Sequence, residues 1–233
     1  MPAPRRVLDL VIVGAGGHAR EVLDVVEAAA LDGAAYRCIG FVDDDPRRAG
    51  GSLRGHPILG GLTWLLAPGR GDVRYVLGVG APAVKARLVG TLDAARLRAA
   101  TLVHPLASLT GRVDLAAGVV LAAYALATTD VRLRAHAHLN VHASVSHDCD
   151  VGAYAHLAPG ARLAGAVRVG DGCEIGIGAV VVPNVDIGHW SIVGAGAVVT
   201  APIPPDCTAV GVPARVIRTR PAGWQRDAPR PPA

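Results

Sequence analysis

The chain has 233 residues, of which 51% are hydrophobic and 18% charged, and its formal net charge is +4. This length favours two modest domains, and the Lys and Arg residues form no block interleaved with aromatics of the kind that binds nucleic acid. No apolar run approaches the roughly 18 residues that span a bilayer, and the N-terminus lacks a signal-peptide pattern, so we expect a cytoplasmic protein that binds neither nucleic acid nor membrane.

The first hundred residues follow the pattern of a parallel βαβ unit. An apolar run at 7–13 predicts a strand, and a glycine-rich turn separates it from an amphipathic helix. A second predicted strand, 38–42, ends in three aspartates, and a third, 75–79, ends at Gly80 before a helix over about 82–98. The pattern indicates a small parallel α/β domain.

The glycine-rich turn at 14–18 allows two interpretations. Glycines let a backbone approach a phosphate, which the free N–H groups of the helix N-terminus would bind, while the aspartates would reach ribose or base. Close packing of helix against strand also selects glycine. Because about 100 residues supply only half of a dinucleotide-binding fold, a nucleotide attached to a substrate fits better than a nicotinamide cofactor.

From Val103 to about Val198 the sequence repeats every six residues. An aliphatic residue opens each hexad, only Ala127 falling short, and a small residue follows four places later. This period fits neither a strand nor a helix and is typical of parallel β-helices, in which three hexads make one triangular coil of 18 residues. Sixteen hexads predict about five stacked coils. The openers are Val103, Leu109, Leu115, Leu121, Ala127, Leu133, Leu139, Val145, Val151, Leu157, Leu163, Val169, Ile175, Val181, Ile187 and Val193.

The four cysteines are read as reduced core residues. Cys149 and Cys173 occupy the small inward position of the repeat, and neither they nor Cys38 and Cys207 show CxxC spacing. The sequence therefore offers no obvious exposed cysteine nucleophile.

Two histidines lie in the middle of the repeat. His147 and His156 occupy neither inward position, so both are expected to project outward. Residues 18 apart stack on adjacent coils, which places His147 between Thr129 and Gly165, and His156 on His138. A neutral imidazole is suited to accept a proton near pH 7, but an outward histidine is usually just solvated, so position alone leaves the role of His147 open.

Four segments together resemble the sugar acyltransferases of the sialic-acid and bacillosamine pathways: VIVGAGGHAREVLDVV, FVDDD, LNVHASVSHDCDVGAYAHLAPGARLAG and VGVPARVI. The resemblance implies a Rossmann-like α/β domain at 1–101 followed by an all-β left-handed parallel β-helix at 102–217, and we expect a disordered tail at 218–233. It also implies a homotrimer with sites between subunits, in which an acetyl group passes from acetyl-CoA to a sugar.

The resemblance also assigns roles to individual residues. His147 would be the general base, and Asp148 would orient its imidazole, although Asp148 also fits a corner residue that bonds its own backbone. The chain has Gly-Gly-His-Ala where some relatives have Ser-Gly-His-Gly, which alters the surroundings of the phosphates. No metal ion is expected. Acetyl-CoA would contact His156, Gly165, Ile177 and Ala195, and the nucleotide sugar would contact Gly16, Gly17, His18, Asp43, Asp44 and Gly80.

The acceptor is open between two chemistries. The first hypothesis is N-acetylation of a UDP-linked amino sugar, and the second is O-acetylation of a sialic acid or related sugar. The carboxylate run at 43–45 disfavours an anionic sugar in the N-terminal pocket.

Two further classes of protein stay as alternatives. Some left-handed β-helix trimers are zinc carbonic anhydrases, and His142 and His147 have a five-residue spacing found in that group. The third histidine of that set would lie 36 residues before His142, where the chain has Leu106. The other alternative is a β-helix that serves as a spacer or binding module and cleaves no thioester.

Overall fold

The computed structural model describes residues 7–33 and 35–226. The first part is a six-stranded sheet in the order β3-β4-β2-β1-β5-β6, parallel except for the β3–β4 pair. Its strands are β1 (Leu8–Val13), β2 (Tyr36–Val42), β3 (Ser52–Leu53), β4 (His56–Gly60), β5 (Arg74–Leu77) and β6 (Arg98–Ala99). The helices are α1 (Gly17–Leu31), α2 (Leu62–Leu66) and α3 (Pro82–Ala94), and Pro46–Arg48 form a 3-10 turn.

The sheet is buried where its sequence is continuously apolar. Residues 10–13 of β1 are almost fully buried, as expected of a central parallel strand covered on both faces. The apolar stripe of α1 packs against it. The three predicted strands and two predicted helices are therefore present, whereas α3 ends at Ala94, shortly before Arg96 adopts a left-handed backbone with a φ of +57°.

The second part is a three-sided parallel β-helix. Its first face has the strands Leu102–Val103, Val120–Leu121, His138–Leu139, His156–Leu157, Glu174–Ile175 and Ile192–Val193. The second face has Ser108–Leu109, Leu126–Ala127, Ser144–Val145, Arg162–Leu163, Val180–Val181 and Val198–Val199. The third face has Val113–Leu115, Val131–Leu133, Asp150–Val151, Arg168–Val169 and Asp186–Ile187.

The hexad openers form the core of this β-helix, as the repeat predicts. Residues 18 apart are paired, for example Leu121 with Leu139 and Leu139 with Leu157. Openers from Leu121 onward are almost completely buried, whereas Val103 and the other two in the first coil are only partly buried because no coil covers them from below. Each coil thus completes the core of the next.

Corner residues adopt a left-handed backbone at regular six-residue intervals. A tight turn between two faces needs a positive φ, which Asn, Asp and glycine tolerate best. The non-glycine residues with positive φ in these corners include Tyr124, Asp130, His136, His142, Asp148 and Tyr154. A positive φ at each corner therefore turns the chain from one face to the next.

The N-terminal domain packs on the first face of the β-helix. Leu10 and Ile12 share one apolar cluster with Val120 and Ala122 of that face. Lys85 of α3 is 2% exposed, and its ammonium donates to the carbonyl oxygens of His136 and Ala155, both at 3.1 Å.

Burial lowers the pKa of Lys85 from its ordinary 10.5 to about 7, although the Glu174 carboxylate opposes this shift. The docking of the two domains therefore includes a buried amine that titrates near neutrality.

The C-terminal segment extends and closes the eight-stranded first-face sheet. Cys207–Val210 add a parallel strand, and Arg215–Thr219 pair with it in the antiparallel direction. The strand continues two residues into the segment predicted as a disordered tail, and Trp224–Arg226 form a 3-10 turn, so the order of 218–226 corrects that prediction. Residues 227–233 lie outside the described part. Among the described residues, no helix is long and apolar enough to cross a membrane.

Candidate functional site

A cavity of about 550 Å³ opens at the carboxyl ends of β1, β2 and β5. In parallel α/β sheets ligands bind at this edge, where the helix N-termini also point. The lining includes all six residues predicted to contact a nucleotide sugar: Gly16, Gly17, His18, Asp43, Asp44 and Gly80.

The glycines around this cavity divide into two groups. A Cβ on Gly78 would lie under 3.0 Å from side-chain atoms of Ala19 and Ile12, so this glycine permits close packing of α1 on the sheet. Gly16 has no atom within 4 Å of the place where a Cβ would stand, and it faces the cavity. Within the turn itself, Gly14 has a φ of +103° and a Cβ on it would lie 2.9 Å from Cγ1 of Val79, so packing accounts for this glycine, and phosphate binding at Gly16 stays a prediction.

The aspartates after β2 first of all shape the cavity wall. Asp43 accepts hydrogen bonds from the backbone N–H of Ala15 at 2.7 Å and of Asp45 at 2.9 Å. Asp44 accepts from the N–H of Leu62 at 2.8 Å, which ties α2 to the same edge. The Asp43 carboxylate therefore holds the glycine-rich turn against the end of β2.

Arginines offset the acidic run at 43–45. Arg47 donates to both carboxylate oxygens of Asp45, at 3.0 to 3.1 Å through Nε and 2.7 Å through Nη2, and its guanidinium lowers the pKa of Asp45 to about 2. Arg48 lies 3.7 Å from Asp45 and 3.9 Å from Asp43, and Arg87 of α3 also lines the cavity. Arg47 and Arg48 thus offset part of the charge of this run, and its effect on an anionic sugar stays a prediction.

His18 stands in the first turn of α1, where the cavity meets the β-helix. Its Nδ1 lies 3.1 Å from Oε2 of Glu21, and this hydrogen bond lowers the pKa of the Glu21 carboxyl. Its ring centroid is 4.6 Å from that of His138 and 5.4 Å from that of His156. The predicted stacking of His156 on His138 is present, with ring centroids 5.0 Å apart.

The expectation that His156 projects to the outer surface is wrong. The side chain of His156 points away from the β-helix core, as the repeat predicts. The N-terminal domain covers this face, however, and His156 and His138 are only 8% and 5% exposed. Burial lowers the pKa of both imidazoles well below the usual value. Both rings are therefore neutral near pH 7.

His147 and Asp148 form a hydrogen-bonded pair on the outside of the β-helix. Nδ1 of His147 lies 2.8 Å from Oδ2 of Asp148, and both side chains are about 60% exposed. Asp148 is also a corner residue, with a φ of +60°. A Cβ on Gly165 would overlap the His147 ring, which agrees with the predicted stacking of these two positions.

The structure does not bring all the predicted site residues together in one chain. His147 lies at the corner between the second and third faces, between strands Ser144–Val145 and Asp150–Val151. Ile177 and Ala195 share the corner between the first and second faces, where the N–H of Gly196 bonds the carbonyl of Ile177. In a three-sided solenoid, the corner of His147 lies opposite the first face, on which the N-terminal domain packs.

The thiols are unsuited to covalent catalysis. Burial raises the pKa of Cys173 to about 12 and that of Cys38 to about 11, and it also raises the pKa of Cys149. All four cysteines are free, and only Cys38 is not fully buried. An activated thiolate needs the opposite environment.

Sequence reasoning missed His138 and the arginines as parts of this region. The 18-residue interval between His138 and His156 was visible, but His18 joins them from 120 residues away through domain packing. Arg47 and Arg48 follow shortly after the aspartates, and their positive charge was the signal from which their pairing with the acidic run could have been predicted.

Two family models match the chain. Residues 9–92 match the PglD N-terminal domain, and residues 166–201 match the bacterial transferase hexapeptide repeat. None of the curated protein sequences compared with the chain matches it.

Several solved structures are similar over nearly the whole chain. The acetyltransferase domain of PglB from Neisseria gonorrhoeae is 31% identical, with a TM-score of 0.83, and the match covers 90% of this chain and 99% of that one. A structure of the same domain contains acetyl coenzyme A. A mutant of perosamine N-acetyltransferase from Caulobacter crescentus, in complex with CoA and GDP-perosamine, is 33% identical with a TM-score of 0.83 and coverages of 89% and 96%.

Proposed function

Because the chain belongs to the hexapeptide-repeat sugar N-acetyltransferases that carry a PglD-type N-terminal domain and a left-handed β-helix, we propose that it acetylates the amino group of a UDP-linked amino sugar. Acetyl-CoA is the co-substrate of this family. The observation that carries the proposal is the pairing of an α/β cavity, lined by all six predicted substrate residues, with a histidine–aspartate pair on the β-helix.

His147 is the general base in this proposal. With the Nδ1 proton donated to Asp148, Nε2 is free to accept the proton that the sugar amine loses as it attacks the thioester carbonyl. The C–N bond forms, the C–S bond breaks, and the thiolate of CoA takes up the proton from the imidazolium. Transfer is direct, since the buried thiols offer no nucleophile.

The active site lies between subunits of a homotrimer. His147 and the nucleotide-sugar cavity are on opposite sides of one β-helix, so the base of one subunit must serve the cavity of another. Acetyl-CoA would then run between the corner of Ile177 and Ala195 on one subunit and that of His147 and Gly165 on its neighbour. Ile177 is 61% exposed in the single chain, as a residue at such a junction would be.

The nucleotide of the acceptor has a specific second candidate. The bound GDP-perosamine in the Caulobacter relative favours a GDP-linked amino sugar as the alternative to a UDP-linked one. O-acetylation of a sialic acid ranks below both, because the similar structures of known activity are N-acetyltransferases.

Thiol release from acetyl-CoA tests the reaction. We expect turnover with a UDP- or GDP-linked 4-amino sugar and none with free sialic acid, and His147→Ala should lose roughly 10² to 10⁴ in rate while keeping its oligomeric state. Turnover on sialic acid alone, or an unchanged rate for His147→Ala, would contradict the proposal.

Subunit mixing tests the location of the site. His147→Ala lacks the base and His18→Ala lacks a cavity residue, so each homotrimer should be nearly inactive. After unfolding and refolding together at equal amounts, random trimers should regain up to about one quarter of wild-type activity, because one junction in four pairs two intact halves. If mixing restores nothing while mixed trimers form, base and cavity must belong to the same chain.

A further inference from the structure

Three histidines meet where α1 packs on the first face of the β-helix. His18, His138 and His156 each offer a ring nitrogen, and these nitrogens all lie within 4.8 Å of one another. Their ring centroids are separated by 4.6 to 5.4 Å. Three imidazoles arranged around a common point are the donor set of histidine-only metal sites.

Two of the nitrogens in this histidine trio are buried without a hydrogen-bond partner: Nε2 of His18 and Nδ1 of His156. A buried polar atom without a partner is destabilising, so a native structure normally supplies one. On His18 the other nitrogen is already committed, because Nδ1 bonds the Glu21 carboxylate at 3.1 Å. This bond places the proton on Nδ1 and leaves a lone pair on the buried Nε2, as in metal-binding histidines whose other nitrogen bonds a carboxylate.

We propose that His18, His138 and His156 bind one divalent transition metal ion, with Zn²⁺ as the expected ion. Imidazole nitrogen is a ligand that zinc, cobalt and nickel all accept. Tetrahedral zinc with bonds of 2.0–2.1 Å holds its nitrogens about 3.4 Å apart, so the widest pair closes by roughly 1.4 Å from 4.8 Å through ring rotation.

The histidine trio borders the nucleotide-sugar cavity. His18 and Gly80 both line that cavity. Gly80 has no side chain, and a Cβ added to it would lie 3.8 Å from the His156 ring. Water or a polar group in the cavity would complete the coordination shell of the metal ion. The three histidines belong to the chain that carries the cavity, whereas in the proposed trimer the catalytic His147 comes from the neighbouring subunit.

Metal binding is measured on the full chain after treatment with a chelator, without acetyl-CoA or sugar nucleotide. We expect uptake of one Co²⁺ per chain with visible d–d absorption of a four-coordinate ion, displacement by Zn²⁺, and a rise in melting temperature with Zn²⁺. Failure of acetyl transfer would leave this result standing, and failure of metal uptake would leave the proposed function standing.

Variants locate the ion. His138→Leu removes a ligand and should weaken binding by more than about 100-fold, and Glu21→Gln, which removes only the partner of His18, should weaken it by about 10- to 100-fold. The matched control is His142→Leu, an exposed histidine of the same β-helix that stacks on Tyr124 and should bind metal like the parent. Absence of stoichiometric uptake by the parent, undiminished uptake by His138→Leu, or loss in His142→Leu would overturn the proposal.

Discussion

A single methyl group on Gly165 should displace His147, the proposed general base, without unfolding the protein. A Cβ built on Gly165 lies under 3.0 Å from Cε1 and Nε2 of His147, so in Gly165→Ala the imidazole must rotate away from its place over this corner. The obstacle is the end of an exposed side chain, which moves easily. The backbone of Gly165 is also outside the left-handed region, so alanine fits it.

The two consequences of this substitution differ in size. Turning His147 off its rotamer costs about 0.5–1.5 kcal/mol, and alanine in place of glycine returns about 0.4–1 kcal/mol by restricting the unfolded chain, so the free energy of unfolding should change by less than about 1 kcal/mol. Displacing a catalytic group by about 1 Å costs roughly 10²-fold in rate. We therefore expect kcat to fall about 10²-fold at nearly unchanged stability.

Thiol release and urea unfolding separate these effects. Gly111→Ala is the matched control, because no atom lies within 4 Å of its Cβ position and its backbone is not left-handed. In the double variant Gly165→Ala/His147→Ala the rate should equal that of His147→Ala alone, since the methyl group acts only through the ring. A Gly165→Ala enzyme with parental kcat, or one whose double variant is slower again by 10²-fold, would refute this reasoning.

Four other variants test the His147–Asp148 pair, the domain contact and the corners. Asp148→Asn keeps a residue suited to the left-handed corner but loses the charge, so kcat/KM should fall roughly 10- to 100-fold with an unchanged melting temperature. A melting temperature that falls together with kcat/KM would mean that Asp148 has a structural role. The pKa of Lys85 is about 7 in the folded protein and 10.5 in the unfolded chain, so the unfolded chain binds more protons between these values. The free energy of unfolding should therefore rise by roughly 2–3 kcal/mol from pH 7 to pH 9. Urea titrations at several pH values should show this rise in the parent and not in Lys85→Met. Gly172 and Gly178 both have a positive φ, so alanine at either position should lower the free energy of unfolding by about 1–2 kcal/mol. Only Gly172→Ala also places a Cβ against the ring of Trp190, so its urea midpoint should fall further than that of Gly178→Ala.

The hexad repeat predicted the β-helix in detail because each position in it has a fixed environment. The openers fill the core, the 18-residue interval pairs the strands, and the contacts of His147 with Gly165 and of His156 with His138 follow from it. The strand–turn–helix at the N-terminus was also predictable, because apolar runs and glycines influence the backbone conformation of their own segment.

What the sequence could not predict depends on packing between distant segments. The burial of His156 and its contact with His18 arise from domain docking, which no periodicity reports. The short strands β3 and β6 are only two residues long and carry no alternation that would announce them. The separation of His147 from the cavity likewise became visible only once the N-terminal domain was placed on one face.

The antiparallel strand Arg215–Thr219 sets a limit on the growth of the solenoid. A stack of similar coils has no inherent length, because every coil presents a row of unpaired backbone groups as a template for another. Here the last first-face strand is covered by a reversed one whose residues are all exposed and include Arg215 and Arg218. Because a charged, reversed edge disfavours end-to-end pairing between molecules, we expect this hairpin to oppose fibre formation.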